Sequence, residues 1–302
     1  MPPTLIILNP HAASGRAEHL WQQAEPTLSQ HLSELAVVTT QGPADVYAQI
    51  ENAYQNGIRR VISVGGDGTN NSLVDALAKF QINNPEHEPM TLGNLPVGTG
   101  RDWARSQGFL LGIDAAVARL TQAQPRAIDI GHVQIDGQQR HFLNIASGGM
   151  GGDVDKWVNQ VEKRRSWTFL RATVAAILTH QPRHMSIKLD GELWFEGRSM
   201  LVVVANGTTF GHGMRIAPQA SIDDGVFDIV LIATPSRTYI LRALWHVYNG
   251  SHLNLDGVLF RQAHHVDIQC QDDQLPLDID GEYAAGSELI FEVKPKFLNM
   301  LF

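Results

Sequence analysis

The stretch with the most chemical content is Gly65-Gly66-Asp67-Gly68-Thr69-Asn70-Asn71-Ser72. It follows Val61-Ile62-Ser63-Val64, which reads as a buried strand. It precedes Leu73, Ala76, Leu77 and Phe80, which fall on one face of a helix. A strand that turns through glycines into a helix N-terminus offers backbone N–H groups and the positive end of the helix dipole, and both favour phosphate. Glycine lets the backbone approach a ligand and adopt positive φ. Asp67 separates this loop from a dinucleotide fingerprint, because a carboxylate repels a bare pyrophosphate. It is compatible with phosphates that arrive with Mg²⁺, or with a carboxylate that orders the loop. The plainer alternative is a strand–helix turn with a capping aspartate.

The surrounding pattern positions this loop. Leu5–Leu8 reads as a strand running into Asn9-Pro10-His11-Ala12-Ala13, then a helix with Leu20, Trp21, Ala24 and Leu28 inward. Leu35–Val38 is a second strand, closed by Thr39-Thr40-Gln41-Gly42-Pro43. The next helix carries Val46, Ile50, Ala53 and Tyr54 on one face and ends at Gly57. Leu92–Val97 is a further strand opening into Gly98-Thr99-Gly100-Arg101-Asp102, with helical pattern to about Gln122. Strands alternating with helices predict a parallel sheet, and in such sheets ligands bind beyond the carboxyl ends of the strands. All four polar or glycine loops lie at that edge, which argues for a nucleotide cleft. From Ala127 the rhythm changes to short β-rich runs: Ile128–Gly131, Val133–Ile135, Met185–Leu189 and Phe227–Val230. Asp136-Gly137 and Asp190-Gly191 act as turns, and helices interrupt near 153–180 and 236–250.

The chain has 302 residues, room for two domains. A net charge of −8 argues against broad nucleic-acid binding. Cys270 is the single cysteine, so neither an intrachain disulfide nor a cysteine-based zinc site is supported. Met1-Pro2-Pro3-Thr4 leads at once into a strand, and no run approaches the ~20 apolar residues of a spanning helix. The expectation is a cytoplasmic protein. The thirteen histidines show no metal spacing; His264-His265 fits a structural role in a β-rich run, and His11 lies beside the first loop.

In this order, Asn9-Pro10, Gly65–Thr69, Pro96-Val97-Gly98-Thr99-Gly100, Ala205-Asn206-Gly207, Ala217-Pro218, Asp223-Asp224-Gly225 and Asp280-Gly281-Glu282 resemble the diacylglycerol-kinase catalytic family, which includes bacterial lipid kinases and sphingosine kinases. The resemblance spans nearly the whole chain. It implies an α/β plus all-β architecture: a parallel-sheet nucleotide-binding domain over 1–126, a β-sandwich domain over 127–295, and a tail, 296–302, returning to the first domain. The family's active site lies in the cleft between the domains. Carried over by position, the resemblance assigns ATP contacts to Asn9, Pro10, His11, Ala12, Ala13, Thr40, Gly65, Gly66, Asp67, Gly68, Thr69, Asn70, Asn71, Ser72 and Thr99. It assigns the catalytic base to Glu282, with Asp280 as partner or alternative. It assigns a structural Mg²⁺ to Asp224 with Ser221 and Val226, where all-oxygen ligands suit a hard cation. Read as bare sequence, Asp-Gly-Glu and Asp-Asp-Gly are equally good β-turns.

Two positions depart from the family pattern. Arg101 stands where Asn is usual, and could clamp an oxyanion or pair with Asp102. Ser72 stands where Glu is frequent. The implied activity is Mg²⁺-dependent transfer of the γ-phosphoryl group of ATP to a hydroxyl of diacylglycerol or a related lipid. An NAD kinase shares Gly-Gly-Asp-Gly, and a non-catalytic nucleotide- or lipid-sensing member remains open because of Arg101 and Ser72. The expected partner is a lipid at a membrane surface, contacted transiently, with no nucleic acid. A homodimer is left open. Between Lys156 and Arg171 five Lys/Arg and one Glu interleave with Trp157, Trp167 and Phe169; this fits either a membrane-steering segment or a helix packed on the sandwich with its charges in water.

Overall fold

The computed structural model describes residues 3–302 apart from 33, 41, 110–111, 160, 162–165 and 234–235. Glu162, Lys163, Arg164 and Arg165 of the basic-aromatic stretch, and Gln41 of the second loop, therefore lie outside the described residues. The chain divides into two compact units, residues 1–128 with 296–302, and residues 129–295.

The first unit runs β1 (Thr4–Leu8), α1 (Ala12–Gly15), α2 (Ala17–His31), β2 (Leu35–Thr39), α3 (Pro43–Gln55), β3 (Arg60–Gly65), α4 (Asp67–Asn83), β4 (Thr91–Pro96), α5 (Asp102–Ser106) and α6 (Ile113–Gln122). The strands are parallel in the order β2-β1-β3-β4. Strand residues Ile6, Leu8, Ile62, Val64 and Leu95 pack on one face against Trp21, Ala24 and Leu28 of α2 and Val117 and Leu120 of α6. Val46 and Ile50 of α3 and Leu73, Leu77 and Phe80 of α4 are buried as their spacing predicts. The helical pattern expected to run unbroken to Gln122 is instead interrupted after Ser106, where Gly108 takes φ +71° and closes α5.

The second unit opens within β5 (Pro125–Ile135), a single strand where two short runs were expected, and continues through β6 (Gln138–Phe142), β7 (Ile145–Gly149), α7 (Met150–Asn159), α8 (Ser166–Thr179), β8 (Arg183–Leu189), β9 (Glu192–Ser199), β10 (Leu201–Ala205), β11 (Phe227–Ile232), α9 (Arg237–Asn249), β12 (Val258–Ala263), β13 (His265–Cys270), β14 (Leu275–Ile279), β15 (Glu282–Gly286) and β16 (Glu288–Leu301). One sheet has the order β12-β11-β10-β7-β14-β15; facing it are β16-β13-β8-β9, with β5 paired to β16 and β6. Phe142, Phe227 and Phe291 sit in the core between them, the first two rings stacked 5.8 Å apart. Alternate residues of β10 and β11 point into this core (Val202, Val204, Ile229, Leu231), whereas Leu201, Val203 and Val230 point the other way, under α7, α8 and α9. That helical layer makes the central strands continuous apolar runs instead of alternating ones.

Three hairpins turn on Asp-Gly: Asp136-Gly137, Asp190-Gly191 and Asp280-Gly281 each have positive φ at both residues, the type I′ arrangement whose twist matches the strands. The last residues of β16 rejoin the first unit, pairing Asn299 and Met300 in parallel with Thr91 and Leu92. Arg119 fastens them: its guanidinium donates to Asn94 O at 2.8 Å and Leu301 O at 3.1 Å and lies over the Phe109 ring, and burial pulls its pKa down to about 10. Among the described residues, no helix is long and apolar enough to cross a membrane.

Phe142→Ala should lower the unfolding free energy by about 3–5 kcal/mol in urea titration, because the cavity lies between two sheets that cannot collapse onto it. A second expectation concerns acid. His252, 1% exposed, donates Nε2–H to Ile216 O at 2.9 Å, and burial depresses its pKa, so the fold holds the neutral ring. That stability is fully present above the unfolded pKa of ~6.5 and is lost as pH falls toward and through the lower folded value. His132 behaves alike for the same main cause. Thermal unfolding followed from neutral to mildly acidic pH should show a shallower acid slope in His252→Gln than in the parent; equal slopes would refute the assignment.

Candidate active-site loops and an apolar cavity

In the first unit the loops after β1, β2, β3 and β4 are stitched to one another. Asn9 Nδ2 donates to Thr69 Oγ1 at 3.1 Å, and Asn9 N to Val64 O at 3.1 Å. Thr40 N donates to Leu8 O at 3.0 Å, while Val97 N and Gly98 N share Gly65 O, each at 3.1 Å. Helix α4 starts directly at Asp67, so its first-turn N–H groups, which have no intrahelical acceptors, open at this edge.

The glycines serve contact and not φ. None of Gly65, Gly66 and Gly68 takes positive φ, contrary to expectation. A Cβ on Gly98 would lie 2.4 Å from Gly66 Cα, and one on Gly65 would lie 2.3 Å from Thr69 Oγ1. The side chains of the loop are largely turned inward. Thr69 receives Asn9; Asn70 Oδ1 accepts from Asn94 Nδ2 at 2.8 Å in the core; Ser72 Oγ donates back to Gly68 O at 3.0 Å. Asp67 Oδ1 accepts from Trp103 N at 3.3 Å, so its carboxylate ties α4 to the start of α5. Asn71 is half-buried in the first turn, His11 and Thr99 are exposed, and Pro10, Ala12 and buried Ala13 shape the first loop, with Ala13 at φ +55°.

Arg101 is the unexpected side chain here. It occupies the left-handed region at φ +55°, ψ 37°, which Asn tolerates and Arg does not favour. Among the described residues its Nε is buried without a hydrogen-bond partner, and the ion pair at this loop is Asp102 with Arg105, at 3.9 Å.

In the second unit Asp280 is a scaffold. Its carboxylate accepts three backbone N–H groups, from Leu143 (2.6 Å), Asn144 (3.0 Å) and Ile145 (2.8 Å). It thereby holds the β14–β15 hairpin against the chain entering β7. Glu282 is the first residue of β15, opposite Ile279, and is exposed. The arrangement separates the two acids by role: one nested on amides, the other presented to solvent. Asn206 completes the junction by donating to Asp129 O at 3.0 Å and Leu143 O at 2.8 Å.

Around the Asp223-Asp224-Gly225 turn, Asp224 Oδ1 accepts from Val226 N at 3.2 Å and Ser221 Oγ donates to Asp223 Oδ1 at 2.9 Å. Asp129, fully buried and not foreseen, accepts Gly225 N at 2.7 Å. Asp228 was missed too: burial raises its pKa to about 6, nearby Asp224 adds to this, and its Oδ2 is buried without a hydrogen-bond partner. The unbonded Asp228 Oδ2 with Asp224 nearby fits a hard cation with oxygen ligands. Among the described residues no three His, Cys, Asp or Glu side chains group to hold a metal, so an ion here would lean on carbonyls and water.

Beneath α8 and α9 lies an apolar cavity walled by Met150, Phe169, Leu201, Met214 and Leu244 among others. Asp278, two residues before Asp280, is one of its few polar wall residues, and its Oδ1 accepts Gly281 N at 2.7 Å. The cavity wall and the Glu282 hairpin are thus one piece of structure. The sequence carried no sign of this cavity, since its apolar walls read as core.

The family described as diacylglycerol kinase catalytic domain matches residues 3–133, and the YegS C-terminal NAD kinase beta sandwich-like domain matches residues 144–302. A diacylglycerol kinase of Bacillus subtilis (strain 168) is 30% identical, covering 92% of this chain and 89% of that protein. A diacylglycerol kinase of Mycobacterium tuberculosis is 26% identical, over 98% of this chain and 93% of that one. A solved diacylglycerol kinase structure from Bacillus anthracis str. Sterne shares the fold at TM-score 0.72 and 20% identity, covering 100% and 96% of the two chains. Its parallel-sheet first unit, antiparallel sandwich and matching motifs place the chain in the diacylglycerol kinase catalytic family of lipid kinases.

Proposed function

We propose that this protein transfers the γ-phosphoryl group of ATP, bound with Mg²⁺, to the hydroxyl of diacylglycerol or a closely related lipid. The observation that carries the reading is the joining of an apolar cavity to the Glu282 hairpin through Asp278. An apolar lining suits acyl chains, and a carboxylate presented next to it suits a base for the acceptor hydroxyl. Phosphoryl transfer needs little beyond positioning and neutralisation of charge. On this reading the loops around Gly65–Ser72, with Asn9–Ala13, Thr40 and Thr99, hold the nucleotide mainly through backbone N–H groups, because most of their side chains bond to one another. Glu282 accepts the hydroxyl proton as the oxygen attacks phosphorus. Asp280 keeps the hairpin in place. A structural Mg²⁺ near Asp224, Ser221 and Val226 would neutralise the acidic turn; Asp228 lies close enough to share in this.

Arg101 adds a contact the family pattern lacks. A non-glycine residue held in the left-handed region, with a buried guanidinium nitrogen left unbonded, is a strained arrangement of the kind that persists at ligand sites. We assign it to an anionic oxygen of the nucleotide.

Transfer of labelled γ-phosphate to dispersed diacylglycerol, monoacylglycerol, sphingosine and ceramide, with NAD as a soluble control, tests the reading. Glu282→Gln should lower turnover by ~10²–10⁴-fold while ATP affinity stays near that of the parent; equal loss of both would make Glu282 structural. Label on NAD, or bound ATP with no product, would overturn the lipid-kinase assignment. Arg101→Asn should raise thermal stability, by about 1 kcal/mol of relieved backbone strain, and weaken ATP binding about tenfold. Tighter or unchanged ATP binding would remove Arg101 from the nucleotide site.

A further inference from the structure

Helices α8 and α9 pack against each other, and both line the apolar cavity: Phe169, Thr173 and Ile177 from α8, Ile240, Leu244 and Val247 from α9. Their outer faces expose large apolar side chains, a leucine stripe on α8 and Trp245 on α9. On α8, Leu170 and Leu178 are 45% and 51% exposed with half-buried Val174 between them. Positions spaced by four make one continuous stripe toward solvent. On α9, Trp245 is 79% exposed, the most exposed large hydrophobic side chain among the described residues, and meets Tyr248 edge-on at 5.8 Å. Arg242, nearly one turn earlier, is exposed beside it.

Charge says what covers this face. The chain carries a net −8, yet neither helix contains an Asp or Glu; their charged residues are Arg171, Arg237 and Arg242. Most of the surface of such a protein is repelled by an anionic surface, and these two helices are not. Tryptophan and tyrosine interleaved with arginine, on a leucine stripe, match the polarity gradient at the edge of a bilayer: rings at headgroup level, leucines below, guanidinium groups on phosphates.

We propose that the outer face of α8 and α9 docks on an anionic lipid bilayer, with Trp245, Leu170 and Leu178 entering the interface and Arg171 and Arg242 meeting headgroups. The two helices then lie between membrane and cavity, and a lipid reaches the cavity by passing beside them. This last step rests on the lipid-kinase reading; docking itself does not. The surface takes in Leu170 and Arg171, the end of the Lys156–Arg171 stretch that the sequence singled out, and adds α9, which the sequence did not.

The test is co-sedimentation of the purified protein with vesicles of phosphatidylcholine, with and without phosphatidylglycerol, beside phosphorylation of a short-chain diacylglycerol dispersed as monomers. The double variant Trp245→Ala, Leu178→Ala should partition to anionic vesicles about tenfold or more weakly, while phosphorylation of the monomeric substrate is kept. Arg171→Glu with Arg242→Glu should abolish the preference for phosphatidylglycerol. Should the double variant unfold, brominated acyl chains provide a second readout: they should quench the fluorescence of the parent, and that quenching should drop in Trp245→Phe. Unchanged partitioning, or quenching indifferent to Trp245, overturns the proposal. So does a parent dimer that Trp245→Ala dissociates while vesicle binding persists, which would give the face to a second copy of the chain. Vesicle binding that depends on Trp245 without phosphorylation of any lipid would keep the docking surface and refute the kinase reading. Phosphorylation with binding indifferent to all four side chains would do the reverse.

Discussion

The first unit depends on one close approach. Gly66 and Gly98 bring the β3–α4 turn and the β4 loop into backbone contact, and Gly65 O receives Val97 N and Gly98 N across it. No side chain fits between them; a Cβ on Gly98 would sit at 2.4 Å from Gly66 Cα. From this contact the remaining order follows. The β4 loop is held where Trp103 N can reach Asp67, and Thr69 is held where Asn9 can reach it. Polar side chains are consumed in building the loops, so that main-chain N–H groups at the opening of α4 are what remain for an anion.

The second unit solves a different problem with a carboxylate. Hairpins joined by two residues orient their strands but do not anchor them to a neighbouring strand end. Asp280 does so by accepting three successive backbone N–H groups. Charged acceptors on several amides make strong bonds, each worth about 1.5–3 kcal/mol. The cost of burying part of an anion is offset by those amides, and the neighbouring Glu282 is left on the exposed side of the turn. The same hairpin forms one wall of the cavity through Asp278, so packing of apolar side chains under α8 and α9 and placement of the acidic hairpin are mechanically linked.

Helices α8 and α9 show why an apolar helix is not by itself a core helix. They cover the six-stranded sheet, which needs covering because β10 and β11 are apolar on both faces. Yet they are themselves apolar on more than the covered side, leaving Leu170, Leu178 and Trp245 outward. An exposed apolar stripe on helices whose charged residues are all arginines is costly in water and favourable at an anionic interface.

Local chemistry was readable without coordinates. The three Asp-Gly turns, the strand-to-helix loop at Gly65–Thr69, and the inward faces of α2, α3 and α4 each depend on neighbours a few residues apart, and such patterns are written in the sequence itself. The order of motifs placed the chain in its family for the same reason. What the tertiary structure alone decided involves partners far apart in the chain. Gly66 was expected to allow ligand approach and positive φ; its φ is not positive, and it packs against Gly98 about thirty residues on, which no local pattern encodes. Asp280 reads as a partner for a base, and its three acceptor bonds to residues 143–145 make it a scaffold. Asp129 and Asp228 carry no local signal; burial beside a turn gives them their character. The cavity and the outward stripe of α8 and α9 use the same residue types as any core. Only the arrangement of sheets and helices determines which of those side chains face each other and which face out.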